Sequence, residues 1–112
     1  MPLKVFASFE EFWPFYLGEH SMATNRTIHC IGTFFGLVTA LSGIMSGELF
    51  YLLLAPMIGY SFAWFGHFVI EKNKPATLKY PFYSFLGDFK MFGLWMTMKL
   101  NQEVDKLNIK GK

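Results

Sequence analysis

Three histidines are the residues of this chain best suited to chemistry: His20, His29 and His67. Glu71 follows His67 by four positions, so on a helix its carboxylate lies on the same face, one turn further along. Imidazole nitrogens bind iron, zinc and copper, and histidines joined by one carboxylate are typical of non-haem iron(II) centres. The spacing matches neither an H-E-x-x-H motif nor a cysteine cluster. The residue types therefore predict a metal centre on condition that the fold brings these side chains together.

Two apolar runs must position His29 and His67. Residues 27–47 contain no acidic or basic side chain except the imidazole of His29, and residues 49–70 none except that of His67. Each run has about 20 residues, enough to cross a hydrocarbon layer of ~30 Å at a rise of ~1.5 Å per residue. The connector is too short for a domain, so we expect an antiparallel transmembrane hairpin with helices over 27–47 and 49–71. The two histidines lie about equally far from the connector and should therefore share one depth.

A stripe of small residues on the first of these helices points in the same direction as His29. In lipid such a stripe, which includes a G-x-x-x-G pattern, lets a second helix approach closely. The stripe predicts close packing either within the hairpin or between two copies of the chain in a homodimer. Its members are Gly32, Thr33, Gly36, Ala40, Gly43 and Gly47.

Two amphipathic helices are expected to flank the hairpin, over residues 8–22 and 80–100. Ser8 with Glu11 fits a capping box at the start of the first helix. The apolar part of the second helix has only about 8 residues, or ~12 Å, which is too short to cross a membrane. We expect both helices to lie in the membrane interface, where tryptophan and tyrosine side chains are favoured. The chain is thus predicted to be a single all-α membrane domain spanning residues 1–112.

Composition and charge agree with a membrane protein. Hydrophobic residues make up 53% of the chain and charged residues 16%. The net charge of +2 is too small to indicate nucleic-acid binding, so the expected partners are membrane lipids. Residues 1–7 and 101–112 are expected to fray. Cys30 has no second cysteine with which to form a disulfide, and the N-terminal segment does not resemble a secretory signal peptide.

Basic residues lie on the outer sides of the two apolar runs, whereas the connector holds Glu48 and no lysine or arginine. By the positive-inside rule both termini should be cytoplasmic, in a bacterial inner membrane or an endoplasmic-reticulum-like membrane. The basic residues are Arg26, Lys72, Lys74, Lys79 and Lys90.

Two segments around the histidines carry a family resemblance. They read Tyr16-x-x-x-His20-x-x-x-x-Asn25-x-x-x-His29 and Gly66-His67-x-x-x-Glu71-x-x-x-Pro75-Ala76. The chain resembles a family of small integral membrane proteins that includes the iron(II)-dependent 2-hydroxy fatty acid dioxygenases of the endoplasmic reticulum. Those enzymes shorten a 2-hydroxy fatty acid by one carbon, using O2 and releasing CO2. The chain is more similar still to an uncharacterised, mostly bacterial branch of that family, as Gly87-Asp88-Phe89 also indicates.

The resemblance implies a metal-dependent membrane oxygenase acting on long-chain 2-hydroxy fatty acids. His20, His29 and His67 would bind iron(II) and be the catalytic residues. Glu71 would be a fourth ligand or an acceptor that orients an imidazole. Four further residues would bind the substrate. Arg26 or Lys79 would pair with its carboxylate, and Tyr16 and Asn25 would form hydrogen bonds to the ligand shell.

Two other functions fit the same residues. Because His29 and His67 are level across a helix pair, they could hold a haem between them. A non-catalytic lipid-binding or scaffold protein of the membrane is the third possibility. Asp88 is expected to pair with Lys90 or Arg26 rather than with a metal.

Overall fold

The computed structural model of the chain describes residues 5–109, and every regular element within that range is helical. This confirms the all-α fold class. The elements are α1 (Phe9–Gly18), α2 (Ala23–Ser46), α3 (Leu49–Phe65) with a π-helical continuation (Gly66–Glu71), a short 3-10 turn (Ala76–Leu78), α4 (Pro81–Met96) and α5 (Leu100–Lys106).

Helices α2 and α3 pack antiparallel along the small-residue stripe. At the connector end, a Cβ added to Gly43 would lie 2.9 Å from the Cβ of Tyr51, and one added to Gly36 would lie 3.1 Å from the carbonyl oxygen of Ala55. Only glycine allows this approach, since a larger residue would push the helices apart. The stripe is therefore used for packing within one chain.

The connector is a sharp turn. Gly47 follows the end of α2 with φ 73°, a left-handed conformation that glycine adopts without strain and that ends many helices. Glu48 follows, and α3 begins at once with Leu49. Pro56 lies inside α3 without ending it, as membrane helices tolerate.

The remaining helices form what we call the cap: Phe6 with α1, α4 and α5. Its core is aromatic and closely packed, and Phe12 and Leu17 are fully buried within it. The side chain of Trp13 donates a 2.7 Å hydrogen bond to Glu103 of α5, which ties the two ends of the chain together. The apolar face of α1 is thus covered by protein.

Two described segments near the ends of the chain are more ordered than the sequence predicts. Phe6 is 8% exposed and packs edge-on against Phe12, with ring centroids 5.2 Å apart, so this part of the expected frayed lead belongs to the core. The tail was also expected to fray, but it forms α5 because Leu100 and Val104 are buried against the cap. Residues 1–4 and 110–112 lie outside the described range.

Two helices are long and apolar enough to cross a membrane, namely Ala23–Ser46 and the continuous helix Leu49–Glu71. Only 28% and 17% of their most apolar windows are buried inside the protein, whereas a core helix of a soluble protein is mostly buried. Most of their apolar surface consequently faces outward. Examples of the exposed side chains are Leu41, Ile44, Met45, Leu49, Phe50, Leu53 and Met57.

Candidate functional site

The fold brings the three histidines together between the cap and the α2–α3 pair. His20 lies just after α1, His29 in the second turn of α2 and His67 in the π-helical turn. Ring centroids are 4.4 Å apart for His20 and His67, 5.0 Å for His20 and His29, and 6.4 Å for His29 and His67. All three rings are at least nine-tenths buried.

The hydrogen bonds of His20 fix which of its nitrogens carries the proton. Its Nδ1 lies 2.8 Å from the carbonyl oxygen of Tyr16, one helical turn earlier. A carbonyl oxygen only accepts, so Nδ1 donates and the neutral ring keeps a lone pair on Nε2. Burial lowers the pKa of His20 well below its usual value, and the neighbouring His29 and His67 rings lower it further. The ring is therefore held neutral.

The same reasoning applies to His67. Its Nδ1 lies 2.7 Å from Oδ1 of Asn73, and the amide nitrogen of Asn73 donates to the carbonyl oxygen of Glu19 at 3.0 Å. The second contact fixes the orientation of the amide, so Nδ1 of His67 is again the donor and Nε2 has the lone pair. The π-helical turn matters here because it carries His67 and continues directly into the loop of Asn73.

The two lone pairs face each other. Nε2 of His20 lies 3.0 Å from Nε2 of His67, although neither nitrogen carries a proton in this network. One solution is a second proton on one ring, which burial opposes. The other is a shared cation, since two nitrogens at about 2.1 Å from one ion and at right angles to each other lie about 3.0 Å apart. Metal-binding histidines usually donate their other N–H to a carbonyl or carboxylate, as both rings do here to carbonyl oxygens.

His29 is held by a residue of the cap. Its Nε2 lies 3.1 Å from Oδ1 of Asp88, and the same carboxylate oxygen accepts a 2.5 Å hydrogen bond from the hydroxyl of Tyr16. Burial raises the pKa of Tyr16 well above its usual value, and the adjacent Asp88 raises it further, so the phenol stays a donor. Nδ1 of His29 is buried and has no hydrogen-bond partner among the described residues.

Asp88 therefore does not pair as the sequence predicted. Lys90 lies over the ring of Trp13, 4.6 Å from its centroid, and Arg26 donates to backbone carbonyls. The reason is the register of α4, which aims Asp88 at α2 and leaves Lys90 at the edge of the cap. Gly87 makes this possible, because a Cβ there would lie 2.9 Å from the ring of Tyr16.

Glu71 lies at the start of α2 and bonds to groups other than the imidazoles. Its carboxylate accepts from the backbone N–H of Met22 at 2.6 Å, from the hydroxyl of Ser21 at 3.1 Å and from the amide of Asn25 at 3.4 Å. Met22 is the N-cap residue of α2 and offers no side-chain cap of its own. Glu71 thus performs the capping role for α2, and its negative charge suits the positive end of the helix dipole.

The residues predicted to bind substrate are dispersed. Tyr16 contacts the cluster directly, with its ring centroid 4.3 Å from that of His20, and its hydroxyl donates to Asp88. Asn25 donates to Glu71 and packs closely against Gly66. Arg26 donates from Nη1 to the carbonyl oxygens of His20 and Ser21 at 2.8 and 2.9 Å, which fixes the loop that carries His20. Lys79 is exposed on the surface.

Within residues 5–109 no three His, Cys, Asp or Glu side chains surround a common position for an ion as they stand. Two ring nitrogens, Nε2 of His20 and Nε2 of His67, lie next to each other, and Nδ1 of His29 has no hydrogen-bond partner among the described residues. The chemistry of the donor set nevertheless fits a metal, because three imidazoles are buried together and each has one nitrogen held by an oxygen acceptor.

Sequence reasoning missed two members of this site. Asn73 and Asp88 hold the rings of His67 and His29, yet neither lies at helical spacing from a histidine. For Asp88 a signal did exist, since it lies in the Gly87-Asp88-Phe89 motif of the family resemblance.

The fold and the site together define a class: all-helical proteins that have two helices able to span a membrane and a buried cluster of three histidines. A protein-family profile described as "2-hydroxy-palmitic acid dioxygenase Mpo1-like" matches residues 6–100, which include all three histidines and Asp88. The chain belongs to this Mpo1-like family. Neither the curated proteins nor the solved structures yielded a match.

Proposed function

We propose that the chain is an iron(II)-dependent membrane oxygenase that acts on long-chain 2-hydroxy fatty acids. The observation that carries the proposal is the pair of Nε2 atoms of His20 and His67, buried and 3.0 Å apart, in two rings whose Nδ1 atoms both bond to carbonyl oxygens. The description of the family points to the same reaction class and substrate. We assign His20 and His67 as iron ligands and His29 as the third.

Iron(II) held by histidines with open positions supplies the activation of O2. The chain's own residues perform the remaining tasks. Tyr16 and Asn73 accept from the Nδ1 atoms of His20 and His67, which leaves the Nε2 atoms as the nitrogens that would hold the ion. Asp88 holds His29 by its Nε2, and the burial of all three rings excludes bulk water from the site.

The proposal places the α2–α3 pair across a membrane as a hairpin. The support is the outward-facing apolar surface of both helices, which would be costly to expose to water. The cap then lies at the membrane surface, with α1 and α4 in the interfacial layer. Basic residues on the cap side and the lone Glu48 in the connector favour cytoplasmic termini.

The same geometry disfavours the haem alternative. The axial nitrogens of a bis-histidine haem lie on opposite sides of one iron, about 4 Å apart at the usual metal–nitrogen distance of about 2 Å. The Nε2 atoms of His20 and His67 are closer than this, at 3.0 Å, and leave no room for a porphyrin between them. For His29 and His67, the pair named in the haem hypothesis, Nε2 of His29 lies against Asp88 and Nε2 of His67 against Nε2 of His20, so both nitrogens already have other neighbours.

Turnover in lipid nanodiscs tests the proposal. The purified chain is loaded with iron(II) under argon and mixed with 2-hydroxypalmitic acid and O2. We expect O2 uptake, CO2 release and a product one carbon shorter by mass spectrometry. His67→Ala should abolish all three, and Leu41→Ala, which alters an exposed side chain on α2, should leave them intact. No turnover in the wild type, or equal turnover in His67→Ala, would contradict the proposal.

A further inference from the structure

A cavity of about 300 Å³ leads away from the histidine cluster between α2, α3 and α4. His29 and Asp88 border one end of it, so it is continuous with the proposed metal site. Its other lining residues come from the small-residue face of α2, from the facing side of α3 and from two phenylalanines of α4. They are Thr33, Gly36, Leu37, Ala40, Leu52, Ala55, Pro56, Gly59, Tyr60, Ala63, Phe85 and Phe89.

The lining is polar at one end and apolar along the rest. Its polar members are His29, Asp88, Thr33 and Tyr60, which all lie within the half of the cavity nearest the cluster. Further along α2 and α3 the wall contains only aliphatic side chains, glycine and proline. A cavity of this kind fits a ligand with a polar head and an apolar tail.

The length of the cavity limits the tail. His29 and Ala40 mark its extent along α2, and this distance is about 16 Å at a rise of ~1.5 Å per residue. One leaflet of a bilayer, half of a hydrocarbon layer of ~30 Å, is about 15 Å deep. The cavity thus reaches about as far as one leaflet is deep, and its volume of about 300 Å³ is at the small end for ligand sites.

A second observation indicates that the polar end takes a ligand. His29 is 4% exposed, it borders the cavity, and its Nδ1 has no hydrogen-bond partner among the described residues. A buried nitrogen of this kind costs free energy unless something binds to it. In the proposed function that partner is the iron, so the head group of a ligand in the cavity would lie beside His29 at the ion. The cavity is thus more than a gap left by small side chains.

We infer that this cavity binds one acyl tail, with the head group at His29 and the terminal methyl group at Ala40 and Leu52. Ala40 and Leu52 then set the longest tail that the site accepts. The identity of the head group rests on the proposed function, but the position and the length limit of the tail do not.

Selection in this site must be steric. A tail that enters from a bilayer is already in an apolar medium, so burial in the cavity adds little hydrophobic free energy. A tail that is too long has to bend or displace wall residues, and overpacking of that kind is costly. We therefore expect a cut-off in tail length rather than a gradual rise of affinity with each CH2 group.

Photolabelling locates the tail. The full-length chain in nanodiscs is kept under argon, so that no O2-dependent turnover consumes the probe, and is exposed to 2-hydroxypalmitic acid with a photoreactive group at its terminal carbon. Peptide mass spectrometry should find the label on residues 37–40 and 52–55. Unlabelled 2-hydroxydecanoic and 2-hydroxypalmitic acids serve as competitors, and both should displace the probe.

Ala40→Phe fills the far end of the cavity, and Leu41→Phe adds similar bulk on the neighbouring outward face of α2. We expect Ala40→Phe to weaken competition by the palmitic acid about tenfold, the effect of a moderate steric misfit, and to leave competition by the decanoic acid unchanged. Competition by both acids should be unchanged in Leu41→Phe. Retained decanoic acid binding also shows that the variant is folded.

Label spread evenly over the outward residues of α2 and α3, or equal effects of Ala40→Phe on both competitors, would overturn the inference. Correct labelling without turnover in the O2 assay would contradict the proposed function and leave the tail site standing. Turnover without labelling of the cavity would contradict the tail site and leave the proposed function standing.

Discussion

The cap and the α2–α3 pair are both rich in apolar residues, but they use them in opposite ways. In the cap, Phe12 and Leu17 are fully buried, and aromatic rings pack against one another. In the pair, Ile44 is 67% exposed and Met45 78% exposed, and the contact between the helices runs along glycines. The cap thus keeps its apolar side chains inside its own core, whereas the pair combines close backbone packing inside with an apolar surface outside.

The histidine cluster lies where these two regions meet. His29 and His67 belong to the α2–α3 pair, and His20 and Asp88 come from the cap side. Neither region alone contains the site. A change that loosens either region should therefore reach the cluster, and the predictions below separate the two routes.

The largest effect is expected in the core of the cap. Phe12→Ala removes a fully buried ring that contacts Phe6, Tyr80 and Tyr83, and should lower the free energy of unfolding by about 3–5 kcal/mol. Phe50→Ala removes a ring that is 65% exposed and should cost less than about 1 kcal/mol. Detergent unfolding titrations followed by circular dichroism measure both. Equal losses would remove the distinction between the two regions.

Glycine substitutions test the pair in turn. A Cβ at Gly32 would collide with the side chain of Phe62, so Gly32→Ala should cost about 1–3 kcal/mol. Gly93 lies in α4 with nothing within 4 Å of an added Cβ, so Gly93→Ala should gain up to about 1 kcal/mol from helix propensity. The same unfolding titrations measure the loss of stability in Gly32→Ala and the gain in Gly93→Ala. A neutral Gly32→Ala would show that α2 and α3 do not depend on close contact.

Asp88→Asn weakens the link from the cap to His29. The charge that accepts from His29 and Tyr16 is lost while the shape is kept, so iron(II) affinity should fall about 10–100-fold. Competition with a coloured chelator gives the affinity. Asp105→Asn makes the same change at an exposed position of α5 and should bind iron as the wild type does. Unchanged affinity in Asp88→Asn would remove Asp88 from the site.

Glu71→Gln should have the smallest effect. The side chain keeps one oxygen for the N–H of Met22 but loses its charge at the start of α2, which should cost about 1 kcal/mol of stability. Iron content should not change, because no imidazole contacts this carboxylate among the described contacts. Glu48→Gln in the connector is the matched control. Loss of iron in Glu71→Gln alone would make Glu71 a ligand.

Much of the helical architecture follows from sequence pattern. Charge-free runs of membrane-spanning length and a glycine stripe are strong local signals. They predict two long helices that place His29 and His67 at about the same distance from the connector. The sequence predicts the limits of the helices less accurately than their existence. Helix α2 begins at Ala23, four residues before the apolar run, because its first turns contain buried polar side chains such as Asn25.

The site was less predictable because its contacts are long-range. Nothing in the local sequence indicates a π-helical turn at His67, or that Asp88 reaches His29 across a distance of 59 positions in the chain. The N-terminal helix showed the same limit. Its aromatic spacing fits either a membrane interface or a protein core, and only tertiary packing decides that α5 covers Trp13.

Iron content per chain is the most direct test of the central claim, that His20 and His67 share one ion. The protein is purified under argon after growth with iron, and the metal is measured by mass spectrometry for the wild type, His67→Ala and the control Glu48→Gln. We predict close to one iron per chain in the wild type and the control, and almost none in His67→Ala. A wild type without iron, or a His67→Ala variant that retains it, would contradict the account.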